Sequence, residues 1–270
     1  MEQNFTHTIL GKTGLAVHRL GISGTYWPGQ ATLHKALDAG LNYFFFFNID
    51  KQMIRFLRTE MKGNREKFVI ATGAYNLLVG HPNIERTLEK RLRQIDTDYI
   101  DIFMFLGVMK EKQFPVALRE QMYRLKESDK IRHIGISTHD RKFAGRLAAE
   151  GALDVIMMRY NAAHRGAEQD IFPHLKVHNP GVVSFTATRW RYLLRRPKNW
   201  PGDERIPTPG MCYRFVLSNP NVHVCMTAPS NPAQIDENLA ALSQGPLSEE
   251  DIRFMQRFGD AVHHTKTWFM

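Results

Sequence analysis

Five short stretches carry the residue types that could do chemistry. "STHDRK" (137–142) sets His139 beside Asp140. A histidine titrates near neutral pH and can give or take a proton, whereas Asp140, just ahead of a helical pattern, reads as the cap of that helix. "DVIMMRY" (154–160) closes an apolar, strand-like run with Arg159; a cation at the end of an interior strand needs an acid or an anionic ligand beside it. "RWRYLLRRPK" (189–198) is the densest basic cluster in the chain. Its Arg189 and Arg191, together with Arg159, either converge on one phosphate or carboxylate through paired hydrogen bonds or point into solvent. "NAAHRGAE" (161–168) carries His164 and Arg165, for which a loop hydrogen bond is the plainer role. "LNYFFFFNID" (41–50) is odd in the opposite sense, because four phenylalanines stand where the end of a strand would offer a reacting group. No clustering of His and carboxylates has the spacing of a metal site, so no metal is expected. Cys212 and Cys225 lie outside any CxxC pattern, which argues against a zinc site or a disulfide framework and makes a reducing cytoplasm the default expectation.

These positions acquire meaning from the elements that carry them. Strand-length apolar runs at 17–24, 42–47, 68–72, 99–106, 132–137, 154–160, 182–186 and 222–227 alternate with helical patterns. "NIERTLEKRLRQI" places Ile84, Leu88 and Leu92 on one face, and "NPAQIDENLAAL" opens on Asn231, a capping residue. Eight alternations predict a single (β/α)8 barrel over 1–270, a TIM barrel of the α/β class, with no linker or second domain. "THTILGKTGLAV" reads as an N-terminal hairpin turning at Gly11 and Gly14, and "PLSEEDIRFMQRFGDAVHH" as an extra C-terminal helix. Barrels place their chemistry at the C-terminal ends of the strands, where Asp50, Tyr75, Leu106, His139, Arg159 and Arg189 all fall.

The blocks "LGKTGLAVHRLGISGTYWPG", "ALDAGLNYF", "DTDYIDIF", "KIRHIGIS", "RYNAAHRGAEQDIFPHL" and "SNPAQIDENLAAL" occur in order along nearly the whole chain and together resemble the aldo/keto reductase family. The resemblance implies an NAD(P)H-dependent carbonyl reductase using an Asp–Tyr–Lys–His tetrad. Carried over by position, the Asp falls on Phe45, the Lys on Gly73, the His on Leu106 and, counted without gaps, the Tyr on Asp50. For an NADP cofactor, the resemblance implies Ser137 at the nicotinamide amide and Phe185 stacked on its ring. It implies Ser230, Asn231, Gln234 and Asn238 around the adenosine, and Arg189 and Arg191 in the place of the small loop that approaches the pyrophosphate. The amide-binding Asn and Gln fall on Thr138 and Met157, and methionine cannot make an amide's two-sided hydrogen bonds. Retention and loss of the cofactor therefore both stay open.

The formal charge of +9 is dispersed, and no nucleic-acid-binding pattern is present. No apolar run approaches the ~18 residues needed to cross a bilayer, and the opening residues do not form a signal peptide. A small-molecule ligand is expected as partner, an anion being one option, with neither nucleic acid nor membrane. Oligomeric state is not legible. Three readings follow: an enzyme with a rebuilt site served by His139 and Arg159; an NAD(P)H-dependent oxidoreductase with a substitute proton donor such as Asp50 or His139; or a catalytically inactive regulatory or structural subunit.

Overall fold

The computed structural model describes residues 5–75 and 83–265. The chain opens with an antiparallel hairpin, β1 (His7–Ile9) and β2 (Ala16–His18), in which His7 pairs with His18 and Ile9 with Ala16. Gly11 and Gly14 turn it with φ of 50° and 72°, values that glycine adopts without steric cost.

Eight parallel strands follow: β3 (Leu20–Ser23), β4 (Tyr43–Phe45), β5 (Val69–Tyr75), β6 (Ile100–Val108), β7 (Ile131–Thr138), β8 (Val155–Arg159), β9 (Gly181–Phe185) and β10 (Val224–Thr227). They close in sequence order, β10 pairing with β3. The helices among the described residues are α1 (Gly29–Asp38), α2 (Lys51–Glu60), α3 (Ile84–Ile95), α4 (Val116–Glu127), α5 (Arg141–Ala149), α6 (Ala167–Asp170), α7 (Pro209–Ser218), α8 (Pro232–Leu242) and α9 (Glu249–Thr265). Caps of the expected type start several of them. Asn83 accepts the Arg86 N–H at 2.8 Å, Asp140 that of Phe143 at 3.0 Å, and Asn231 that of Gln234 at 3.1 Å, each satisfying a donor the first helical turn leaves free. Ser248 does the same for Asp251 at 3.1 Å, opening the C-terminal helix α9.

Side chains alternate across the strands and sort into two cores. Tyr43, Phe45, Val69, Ala71, Ile102, Met104, Leu106, Val155, Met157, Val183, Val224 and Met226 fill the barrel interior. Phe44, Phe46, Ile70, Phe103, Phe105, Ile156 and Met158 face the helices. The phenylalanine run is divided by this alternation: Phe44 packs against Phe56 and Phe68, both at 5.6 Å, while Phe45 and Phe47 meet edge to face at 4.9 Å on the inner side. Each ring so buried contributes roughly 1.5–3 kcal/mol.

Candidate functional site

At the C-terminal end of the barrel, the strand tips and the loops beyond them enclose a cavity of about 710 Å³, within the usual range for small-molecule sites. Phe45, Phe47, Leu106, Met157 and Met226 supply much of its lining. Tyr26, Tyr75 and Trp190 also line it while remaining 53%, 55% and 41% exposed, so they stand at a solvent-reached mouth. Sequence reasoning missed Trp190 and Glu237, both lining residues. Tyr75 was foreseeable as a functional neighbour, because it continues the inward row of Ala71 and Gly73 by strand alternation.

Phe45, Gly73 and Leu106 lie on three adjacent strands, with Phe45 paired to Ala71, Gly73 to Met104, and Tyr75 to Leu106. Phe45 and Leu106 are each 3% exposed. Gly73 is more than a small residue: a Cβ there would stand 2.0 Å from the Met104 carbonyl oxygen. The β5 and β6 backbones approach too closely at that point for any side chain to fit.

His139 follows the tip of β7 and lines the cavity. Its ring meets Phe185 edge to face at 5.6 Å, and its buried Nδ1 has no hydrogen-bond partner. Burial, and then the charge of Arg159, push its pKa below the ordinary imidazole value, which keeps the ring neutral at pH 7. Arg159 ends β8, in register with Phe185, and continues the inward row of Val155 and Met157. It is half-buried, with Nη1 buried and unpartnered. Desolvation, then Arg141 and Arg189, lower its pKa to about 10.

Asp50, expected as a substitute proton donor, does not line the cavity. The short link after β4 folds back, the Asp50 N–H donating to the Phe47 carbonyl at 3.2 Å and its Oδ2 accepting the Phe47 N–H at 2.8 Å. Burial raises its pKa, against the Phe47 N–H and Arg91. It is a turn-closing residue, as a short polar side chain returning to its own backbone often is.

The residues expected at the cofactor divide likewise. Ser137, Phe185, Arg191, Ser230 and Gln234 line the cavity. Ser230 donates to Gln234 Oε1 from its N–H at 2.9 Å and its hydroxyl at 3.3 Å. Asn231 is committed to capping α8, and Asn238 is 4% exposed and outside the cavity lining. Arg189, expected at a pyrophosphate, is buried, and its Nη1 donates to the Val262 carbonyl of α9 at 2.6 Å. The three arginines thus separate: Arg159 and Arg189 are electrostatic neighbours, and Arg191 reaches the cavity on its own. The loop holding them carries unusual backbone. Thr186, Arg189, Trp190 and Arg191 have φ of 59°, 48°, 49° and 71°, left-handed values that cost non-glycine residues roughly 1–2 kcal/mol each. Hydrogen bonds hold the turn: Asn161 Nδ2 and the Arg189 N–H both donate to the Thr186 carbonyl at 2.8 Å, and the Tyr192 N–H donates to that of Arg189 at 3.0 Å.

Comparison with known proteins places this geometry in a family. The family model described as "Aldo/keto reductase family" matches residues 29–194. The chain belongs to the aldo/keto reductase family. It is 27% identical over 195 residues to the aldo-keto reductase YhdN of Bacillus subtilis, a match spanning 63% of this chain and 58% of YhdN. Its fold superposes on aldo-keto reductase AKR11C1 from Bacillus halodurans in its holo form with a TM-score of 0.77 at 22% identity, covering 95% of this chain and 97% of that one. It also superposes on a Klebsiella pneumoniae aldo/keto reductase solved with NADP and acetate, with a TM-score of 0.73 at 21% identity over 94% and 95% of the two chains.

Membership implies a nicotinamide cofactor, and the residues present fit it unevenly. Ser230, Gln234 and Arg191 offer polar groups to an adenosine and its phosphates along one wall. At the nicotinamide end Met157 offers no hydrogen bond of amide type, and the buried Thr138 hydroxyl is spent on the Val108 carbonyl at 3.0 Å. That end does not fit the group. Among the described residues no cluster of His, Cys, Asp or Glu could hold a metal ion, and no helix is long and apolar enough to cross a membrane.

Proposed function

We propose that this aldo/keto reductase family barrel acts on a small molecule through a non-standard site, and that ordinary NADPH-dependent carbonyl reduction is absent from it. One observation carries the reading: the inner-face positions that would hold the tetrad's Asp, Lys and His present two apolar side chains and a glycine with no room for a Cβ. A phenol of pKa ~10 protonates an alkoxide usefully at neutral pH only with cationic or hydrogen-bonding neighbours, and Phe45 and Leu106 supply neither. The polar groups left near the cavity are His139 and Arg159, a neutral imidazole beside a fixed cation. In this reading His139 moves a proton at the cavity wall while Arg159 supplies positive charge.

The test is an assay of purified protein with NADPH and a series of aromatic and aliphatic aldehydes. Turnover below the rates of about 1–10³ per second typical of enzymes is expected; turnover within that range refutes the proposal. A second reading, an NAD(P)H-dependent oxidoreductase in which His139 replaces the proton donor, is favoured by His139 lying against Phe185 at 5.6 Å and by Ser137, Ser230 and Gln234 lining the same cavity. Fluorescence titration with NADPH and NADH separates the two, since only the second requires tight binding.

A further inference from the structure

Arg159 is a cation without a counter-charge. No hydrogen bond or ion pair of its side chain is formed among the described residues, and its Nη1 is buried. The charged groups around it have the same sign: Arg141 and Arg189 act on it, and it acts in turn on His139 and His164. Asp170, a carboxylate nearby, is held by Arg141 at 2.8 Å. A buried charge left unpaired is costly, and folded proteins tolerate it where a ligand completes the pair.

The position of this charge tells what kind of ligand that is. Arg159 sits on the strand between those of His139 and Phe185, both of which line the cavity. Arg159 itself is not among the lining residues; the edge-to-face contact of His139 with Phe185 closes across it. Nothing but that contact holds the His139 ring, since no hydrogen bond of its side chain is formed among the described residues. Rotation about its side-chain bonds, fast for a ring so loosely held, opens a way from the apolar cavity to the guanidinium.

Resting on the reading of this cavity as a small-molecule site, we propose that its ligand is an anionic amphiphile. Its ring or chain lies against Phe45, Phe47, Leu106, Met157 and Met226, and its single carboxylate or phosphate head group is taken by Arg159 after His139 swings aside. A guanidinium suits either head group, gripping two oxygens at once.

The test is calorimetric titration of the protein with 2-naphthoate, 2-naphthyl phosphate and the neutral 2-naphthamide. One or both anions should bind at least about tenfold more tightly than the amide, the low end for a charge-assisted hydrogen bond; the larger gap names the head group. The gap should vanish in Arg159→Met and largely survive in Arg159→Lys. Arg159→Met should melt no lower than the parent, because it removes an unpaired charge; if it fails to fold, Arg159→Gln takes its place. Equal binding of acid and amide by the parent, or a gap that survives Arg159→Met, overturns the proposal. So does loss of NADPH binding in Arg159→Met with the gap intact, which would assign the cation to cofactor phosphates. Aldehyde turnover, measured on the same preparation, reports separately on the underlying reading.

Discussion

Two rings show how single residues set the character of this site. Phe45 occupies the inner face of β4 at 3% exposure, against Phe47. Replacing it with aspartate puts a carboxylate in apolar surroundings, where it either stays charged at high cost or keeps its proton. Phe45→Asp should lower stability by roughly 3–5 kcal/mol, the range for losing a buried phenyl group, without generating aldehyde reduction; urea unfolding and the NADPH assay check both halves. His139 is the opposite case, a polar group whose hydrogen-bonding capacity is unused at Nδ1. His139→Phe should leave stability unchanged or raise it, since replacing an unsatisfied buried polar group by an apolar one of similar shape is close to neutral. Activity on the true substrate should fall, and thermal melting together with a substrate screen on both proteins reads the split.

Among the elements, the turn after β9 is the most strained. Arg189, Trp190 and Arg191 hold left-handed backbone in succession, and Asn161 braces the same turn through Thr186. Trp190→Gly should be stabilising by between zero and about 1 kcal/mol, the relief of left-handed strain being partly offset by glycine's greater entropy when unfolded. It should also widen the cavity and strengthen NADPH binding if the dinucleotide enters there; melting curves and NADPH titration measure the two effects. Most elements were legible beforehand. The eight strands and their inner and outer faces follow from alternation, and the caps at Asn83, Asp140 and Asn231 from residue type and position. The misplaced residues share a cause. Asp50 was assigned by counting across a loop whose backbone folds back on Phe47, and Arg189 by a place in a loop whose guanidinium turns to α9. Hydrogen bonds to distant or doubled-back backbone leave no trace in periodicity. The approach of β5 to Met104 is equally silent, since a glycine in a strand is compatible with many local geometries.

The whole molecule is polarised along the barrel axis. Near the N-terminal ends of the strands, buried acids are satisfied: Asp101 accepts from Arg65 and from the Ile70 N–H at 2.6 and 2.9 Å, and Asp154 from Lys126 and the Ile134 N–H at 2.6 and 3.0 Å. Near the C-terminal ends, His139 and Arg159 keep unpartnered atoms. Stability and function are thus assigned to opposite ends, as in other barrels of this kind. Acid should act on the fold as a whole. Burial, aided by His7 at His18, Arg159 at His164 and Arg19 at His223, pushes the pKa values of these three histidines from 6.5 down to about 4, about 3 and about 4. His18 and His223 also accept backbone N–H groups at Nδ1, from Leu20 and Val182, both at 3.0 Å. As pH falls below about 6.5 the unfolded chain binds protons that the folded one refuses, so stability is lost on acidification. The urea midpoint should fall between pH 7 and pH 5, above the range where ordinary carboxylates titrate at about 4; an unchanged midpoint contradicts this.

The glycine at 73 also bears on history. Where a side chain is absent and a neighbouring carbonyl has moved into its space, as the Met104 oxygen has here at 2.0 Å from a would-be Cβ, the backbone itself remembers the loss. Any lineage that reaches such a state has no single-substitution route back to a lysine there, because each intermediate must first force two strands apart. Its future chemistry is confined to what the rest of the mouth can offer, and selection acts on the residues around the gap instead of refilling it.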